Sequence, residues 1–70
     1  MNKQFRGQLI DINSVKRITG FRSTQTIYNK MNDEGFPRPV AVGVRTKRWI
    51  QEEVFEWVEA RIEASRKSVA

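Results

Sequence analysis

The first half of the chain carries apolar residues at helical spacing in two short stretches. In the first stretch, Val15 and Ile18 predict a helix over about residues 14–19. Asp11 or Asn13 is available as its N-cap, because short polar side chains satisfy the unpaired backbone N–H groups at a helix start. Leu9, Ile10 and Ile12 form only a short apolar lead-in to this helix.

A glycine turn separates this helix from a second one. Gly20 occupies the position at which left-handed backbone ends a helix, and Ser23 is a good N-cap for the next helix. Ile27 and Met31, four residues apart, form the buried stripe of this second helix, which is predicted to end near residue 32. Two short helices joined by such a turn are the usual layout of a DNA-reading helix pair.

The segment after the second helix has the pattern of an extended stretch followed by a hairpin. Gly35 ends the helix, and the two prolines within residues 36–39 disfavour helix in the residues before them. Residues 40–42 and 47–49 are predicted to form two strands around a short turn. Because isolated hairpins are only marginally stable, this one is expected to pack on the helices through three apolar residues, Val40, Val42 and Trp49.

The last part of the chain is the clearest helix, predicted over residues 51–65. Its apolar stripe consists of Ile50, Val54, Trp57, Val58 and Ile62, with Phe55 at the edge. Its opposite face carries four glutamates, Glu52, Glu56, Glu59 and Glu63. Arg61 falls inside the stripe and either extends its guanidinium group to solvent or meets a partner. Together these elements predict an α+β fold that is mainly helical: a small winged helix with a two-stranded basic wing.

The length of the chain is that of one domain. Seventy residues lie near the lower limit for a chain that folds on its own core. We expect a flexible N-terminal arm over residues 1–8, the winged helix over residues 9–65 and a loose tail over residues 66–70. No run approaches the roughly 18 apolar residues of a membrane span, and no signal-peptide pattern is present. A cytoplasmic protein that does not contact membranes is the resulting expectation.

The composition argues against catalysis. The chain has neither Cys nor His, and so lacks thiolate ligands, the commonest transition-metal ligand and the commonest general base. The acidic residues occupy positions that helices and turns favour. The sequence therefore predicts a protein that is not an enzyme and uses no metal or cofactor.

The charge of the chain is unevenly distributed. Residues 1–50 contain ten Lys or Arg residues and three acidic ones, a net charge of +7. Residues 51–70 contain three basic residues and five glutamates, a net charge of −2. A basic body with an acidic final helix indicates that one face binds a polyanion. The alternative is an ordinary basic surface, and the helix-turn-helix pattern favours nucleic acid.

The outer face of the second helix and the wing hold the candidate contacts with duplex DNA. Amide side chains can pair with adenine in the major groove, and threonine can touch a thymine methyl group. An arginine at the wing tip can follow a narrow minor groove. The predicted contacts are Arg22, Ser23, Thr24, Gln25, Thr26, Tyr28, Asn29, Lys30, Arg38, Arg45, Lys47 and Arg48. The alternative is a solvated helix face and a wing whose charges protect an edge strand.

The order of these motifs resembles a known family. The matching residues are Val15, Thr19-Gly20, Ser23, Thr26-Ile27-Tyr28, Met31, Gly35-Phe36-Pro37, Pro39-Val40, Gly43, Arg45, Arg48-Trp49, Glu53-Val54 and Trp57. Over about residues 9–62 the chain resembles the AlpA-like prophage regulators, which share a small winged-helix fold with phage excisionases and the DNA-binding domains of MerR-type activators. The chain differs from the pattern at two places. Phe21-Arg22 adds one residue to the turn, and Thr24 and Asn29 replace two arginines of the second helix. Arg22 is a candidate replacement for them.

The resemblance implies a sequence-specific DNA-binding protein of a prophage or mobile element. It would act as a transcriptional regulator or as an excisionase that directs recombination, with the second helix in the major groove and the wing along the minor groove. An integrase or recombinase and RNA polymerase are candidate protein partners, and cooperative self-association on DNA is a further expectation. The alternative function is an adaptor that docks on a recombinase, terminase or polymerase.

Overall fold

Three helices pack on a small antiparallel sheet in the computed structural model, which describes residues 7–68. The elements are β1 (Leu9–Ile10), α1 (Ile12–Thr19), α2 (Thr24–Asp33), β2 (Val40–Ala41), β3 (Lys47–Ile50) and α3 (Gln51–Ser68). The sheet order is β1-β3-β2. This arrangement confirms the predicted α+β winged helix, in which α1 and α2 form the helix pair and β2 and β3 form the wing.

The N-cap of α1 resolves the two alternatives left by the sequence. The Oδ1 atom of Asp11 accepts a hydrogen bond from the backbone N–H of Ser14 at 2.9 Å, so Asp11 and not Asn13 caps the helix. As a result α1 begins at Ile12, two residues earlier than predicted. It ends at Thr19, and its C-cap is Gly20, whose φ of 83° lies in the left-handed region that glycine adopts without strain.

The second helix follows its predicted signals closely. The hydroxyl of Ser23 accepts a hydrogen bond from the N–H of Thr26 at 3.1 Å and caps α2. The helix extends to Asp33, one residue beyond the prediction, and Glu34 is its C-cap. Gly35 follows with a φ of 71° and turns the chain into the extended proline segment.

The sheet contains a strand that the sequence pattern did not predict. β1 pairs with β3 in antiparallel register, with Ile10 opposite Trp49. In the sequence pattern its two residues form only an apolar lead-in, because a two-residue strand is too short to show alternation. The N–H of Gln51 donates to the carbonyl of Gln8 at 2.8 Å and continues this pairing. Residues 1–6 of the predicted arm lie outside the described residues.

The core forms where the sheet meets the helices. Its buried side chains are Ile10, Val15, Ile27, Met31, Phe36, Trp49 and Val54. Trp49 anchors the hairpin as predicted, and its indole N–H donates to the carbonyl of Pro37 at 3.0 Å. The prediction for Val40 and Val42 was wrong, since these side chains remain 37% and 49% exposed. β2 is a two-residue edge strand, so its side chains have little surface to pack against.

The third helix is longer than its pattern indicated. α3 runs from Gln51 to Ser68, three residues past the predicted end, so that residues 66–68 of the predicted tail are helical. Basic residues in the last turn, Arg66 and Lys67, complement the helix dipole there. Val54 is fully buried, whereas Ile62 is 43% exposed. The reason is that α3 packs on the body mainly through its N-terminal half, which includes Trp57.

Candidate nucleic-acid interface

A groove lies between α2 and the wing, on the face where the sequence predicted DNA contacts. We call it the wing groove. Its volume is about 380 Å³, and it is lined by Asp11, Ile12, Thr24, Tyr28, Arg45, Lys47, Arg48 and Trp49. Five of these residues are predicted DNA contacts, although they come from elements about 20 positions apart in the chain. The fold therefore brings the outer edge of α2 and the basic strand of the wing onto one concave surface.

The wing side of the groove is held by main-chain bonds. Ala41 pairs with Lys47, and the N–H of Val42 donates to the carbonyl of Thr46 at 2.9 Å, which closes the hairpin. Val44 at the tip is 99% exposed, and Arg45 beside it is also exposed. A rigid hairpin thus projects a cationic side chain away from the body.

Arg48 is more constrained than the other wing cations. Its side chain is half-buried, and its Nη1 atom donates to the carbonyl of Lys47 at 3.0 Å. Within residues 7–68, neither Arg45 nor Lys47 takes part in a side-chain ion pair. Their charges are therefore available to a polyanion without first breaking an internal contact.

The exposed face of α2 carries a pair of amides. Gln25 donates from Nε2 to Oδ1 of Asn29 at 3.1 Å, one helical turn further along, and both residues are exposed. The bond leaves Oε1 of Gln25 as an acceptor and Nδ2 of Asn29 as a donor. An adenine edge in the major groove offers an N6 donor and an N7 acceptor, which these two groups complement.

The two residues of the turn before α2, Phe21 and Arg22, have different surroundings. Phe21 turns inward, and its ring contacts those of Phe36 and Trp57 edge-on, with centroids 6.1 and 6.2 Å away. Arg22 is exposed beside the N-terminus of α2. The hydroxyl of Thr26 forms a 2.9 Å hydrogen bond with that of Ser23, so this predicted contact is already occupied in capping.

An acidic residue in the wing groove was not among the predicted contacts. The pKa of Asp11 is lowered below its usual value of 3.8, chiefly by the backbone N–H and the hydroxyl of Ser14 and further by the positive charges of Arg48 and Arg17. Asp11 therefore stays ionised and places one negative charge among the wing cations. The sequence offered Asp11 only as one of two N-cap candidates, and the pairing of β1 with β3 brings it to the groove.

Seven of the twelve predicted contacts do not line the wing groove, and Lys30 and Arg38 are two of these. Lys30 is on the other flank of α2, where its Nζ atom is 3.0 Å from Oε2 of Glu34 and 5.8 Å from the centroid of the Phe21 ring. Arg38 follows α2 and donates to Oδ1 of Asn32 at 3.3 Å. Neither residue lines the groove, and Lys30 already pairs with the Glu34 carboxylate, which it shares with Arg61.

Glu34 forms a clamp between α2 and α3 that sequence reasoning missed. Its carboxylate accepts hydrogen bonds from Lys30 and Arg61, and its carbonyl accepts one from the indole N–H of Trp57 at 3.1 Å. The guanidinium of Arg61 also stacks on the ring of Trp57, 4.9 Å from its centroid. Arg61, which the sequence left between solvent and a partner, thus has an internal role.

Two kinds of feature are absent from the described part of the chain. Residues 7–68 contain no group of three or more acidic side chains that would hold a metal ion. No helix among these residues has the length and apolar character needed to cross a membrane.

Comparison with known proteins gives one family. Residues 8–62 match the family described as Prophage CP4-57 regulatory protein (AlpA). Comparison with curated proteins and with solved structures gave no match. The matched region begins just before β1 and ends within α3, so that it includes both the helix pair and the wing. The chain therefore belongs to the AlpA family of prophage regulatory proteins.

Proposed function

We propose that the protein binds a specific site on duplex DNA with the surface formed by the wing groove and the outer face of α2. The observation that carries this proposal is the convergence of Arg45, Lys47 and Arg48 with Thr24 and Tyr28 on one groove. Cations fix a protein on the phosphate backbone, and polar side chains on a helix face read base edges. Both kinds of group are present on this surface, and membership of a prophage regulatory family agrees with it.

The geometry supports one arrangement on the duplex. α2 enters the major groove, which is wide enough for a helix, and presents the Gln25–Asn29 amide pair to a base edge. The wing then follows the adjacent minor groove with Arg45 at its tip. Ser23 and Arg22, at the N-terminus of α2, lie where backbone N–H groups and a positive charge favour a phosphate. Lys30 stays outside this interface.

Regulation of transcription and direction of excision share this binding step. We propose that the protein performs one of them at sites in its own mobile element, with a recombinase or RNA polymerase as the protein acting downstream. A promoter reporter and an excision assay, each run with and without the protein, separate the two outputs. Wild-type activity in one assay must be lost in a variant that no longer binds DNA.

Selection from a random duplex library, followed by methylation interference on the selected site, tests the proposed arrangement. Dimethyl sulfate modifies adenine N3 in the minor groove, and 7-deazaadenine substitution removes the adenine N7 acceptor in the major groove, so the two interference patterns probe each groove separately. Replacing Gln25 or Asn29 by Ala should cost about 1–3 kcal/mol of base discrimination and remove major-groove interference only. Arg45→Ala should remove minor-groove interference only.

The outcome that contradicts the proposal is also defined. Absence of binding to any selected duplex at about 50 mM salt, where phosphate contacts are strongest, would exclude a DNA-binding function. A stable complex with a recombinase, terminase or polymerase under the same conditions would then establish the adaptor function instead. Circular dichroism of each variant serves as the control for folding.

A further inference from the structure

The C-terminal helix carries an apolar face that the rest of the described chain leaves uncovered. Phe55 and Ile62, seven residues apart and therefore two helical turns apart, are each 43% exposed. Val58 lies between them and is half-buried. We call these three residues the α3 apolar face. Large apolar side chains that adjoin one another on a helix stripe form a surface on which another protein can pack.

The α3 apolar face borders a groove in which a helix could bind. This groove, of about 430 Å³, lies between α3 and the turn that holds Phe21, and Val58 and Ile62 form part of its wall. Its lining includes three basic residues, Lys30, Arg61 and Arg66, and of these Lys30 and Arg61 already pair with Glu34, which also lines the groove. A partner suited to it would combine apolar side chains with carboxylates on one helix. Phe55, Ile62 and the glutamates of α3 itself have this composition.

We propose that a second copy of this chain covers the α3 apolar face, with the two α3 helices antiparallel. The charge pattern of α3 decides the orientation. Its N-terminal half carries Glu52, Glu53, Glu56 and Glu59, whereas its last turn carries Arg66 and Lys67. An antiparallel pair brings the acidic half of each helix to the basic end of the other, and a parallel pair would oppose like charges.

One register pairs the apolar residues of the two copies and brings Arg66 near Glu52. With the twofold axis between Val58 and Glu59, Phe55 of each copy lies opposite Ile62 of the other. Arg66 then lies within about one helical turn of Glu52 of the second copy. Because the dimer is symmetric, each of these contacts occurs twice.

The position of this contact leaves the DNA-binding surface open. Lys30 and Phe21 flank α2 on the side of α3, while Thr24 and Tyr28 line the wing groove on the other side. The dimer therefore forms without DNA and does not rest on the proposed DNA contacts. It also differs from cooperative association along DNA, since it is a closed pair with twofold symmetry.

The size of the contact sets its strength. α3 has 18 residues and is about 27 Å long. Two such helices provide a contact near the lower end of specific interfaces, which total about 1,200 Å². A weak dimer is expected, so the mass must be measured over a wide concentration range.

Sedimentation equilibrium without DNA, over about 1–500 µM protein, is the test. The chain has a mass of 8.2 kDa, and the average mass should rise toward about twice this value as concentration increases. Ile62→Glu should weaken the dimer at least about tenfold, because it places a carboxylate in the apolar contact on both sides. Val44→Glu is the matched control, since Val44 is 99% exposed on the wing and lies outside the contact.

A charge exchange tests the orientation. Arg66→Glu alone should weaken the dimer, and combining it with Glu52→Arg should restore the affinity, which a parallel pair does not predict. Circular dichroism verifies that each variant is folded. If Ile62→Glu unfolds the protein, the Arg66 variants still test the dimer, because they leave the apolar residues unchanged. A wild-type mass of one chain at all concentrations, or equal dimerisation of the Ile62→Glu and Val44→Glu variants, would overturn the proposal.

Discussion

Lys and Arg residues lie on both flanks of α2, but in the described part of the chain they are unpaired on one flank and form ion pairs on the other. On the wing side, Arg45 and Lys47 are exposed and take part in no side-chain ion pair within residues 7–68. On the α3 side, Lys30 and Arg61 share the carboxylate of Glu34 and lie over aromatic rings. One flank holds charges available to a ligand, and the other uses its charges to join α2 to α3.

The difference shows that a count of basic residues does not locate a polyanion site. A cation that is already paired must lose its partner before it contacts a phosphate, whereas an unpaired one only releases water and ions. A single acidic residue at the C-cap of α2, Glu34, is what separates the two flanks. The predictions below test this difference between the two flanks.

The largest expected effect is the dependence of DNA binding on salt. If Arg22, Arg38, Arg45, Lys47 and Arg48 neutralise five phosphates, the logarithm of the binding constant should fall with a slope of about −4.5 against the logarithm of salt concentration. Affinity should then decrease roughly 500-fold between about 50 and 200 mM salt. Fluorescence anisotropy with a labelled duplex measures the slope. A slope shallower than about −2 would show that the wing flank contributes few phosphate contacts.

A matched pair of arginine and lysine variants compares the flanks directly. Arg45→Ala should weaken DNA binding by about 1–3 kcal/mol, because its charge lies unpaired at the wing tip. Lys30→Ala should change the affinity by less than about twofold and leave the salt slope intact, since Glu34 already holds this ammonium group. Anisotropy titrations of both variants provide the check. Equal losses in the two variants would remove the distinction between the flanks.

Removing the Glu34 charge should affect stability and leave DNA binding nearly unchanged. Glu34→Gln weakens two partly exposed ion pairs, so the free energy of unfolding should fall by about 0.5–1 kcal/mol. For a domain of this size that corresponds to a decrease in Tm of about 2–8 °C. Thermal melts followed by circular dichroism measure it, with Glu63→Gln on the exposed side of α3 as the control. Glu34→Gln must lower Tm more than Glu63→Gln does if Glu34 joins α2 to α3.

The smallest effect concerns the single acid in the wing groove. Asp11→Asn keeps an N-cap of similar quality and removes a negative charge near Arg48, so DNA affinity should rise slightly. The folded-state pKa of Asp11 is lowered, so its ionised form stabilises the fold above its usual pKa of 3.8 and this contribution is lost as pH falls through the lowered value. Chemical denaturation of wild type and variant between about pH 2 and 6 measures that difference. Parallel curves of unfolding free energy against pH for the wild type and the variant would contradict this expectation.

Local patterns were sufficient for most of the secondary structure. Gly20 and Ser23 define the turn and the start of α2 through their own backbone and side-chain preferences, and the structure confirms both. The apolar spacing likewise placed Ile27, Met31 and Val54 in the core. β1 escaped detection because its two residues become a strand only through the register with β3.

The candidate site also has some features that the sequence determined and others that only the tertiary structure determined. The sequence by itself determined the helix pair, the wing, the α2 face and the excess of cations, since each of these depends on neighbouring residues. Only the tertiary structure decided that Arg45, Arg48 and Thr24 line one groove with Asp11, and that Lys30 belongs to the opposite flank. The physical reason is that the availability of a charge depends on its spatial neighbours. Glu34 meets Arg61 across 27 positions of the chain, and no local pattern specifies that contact.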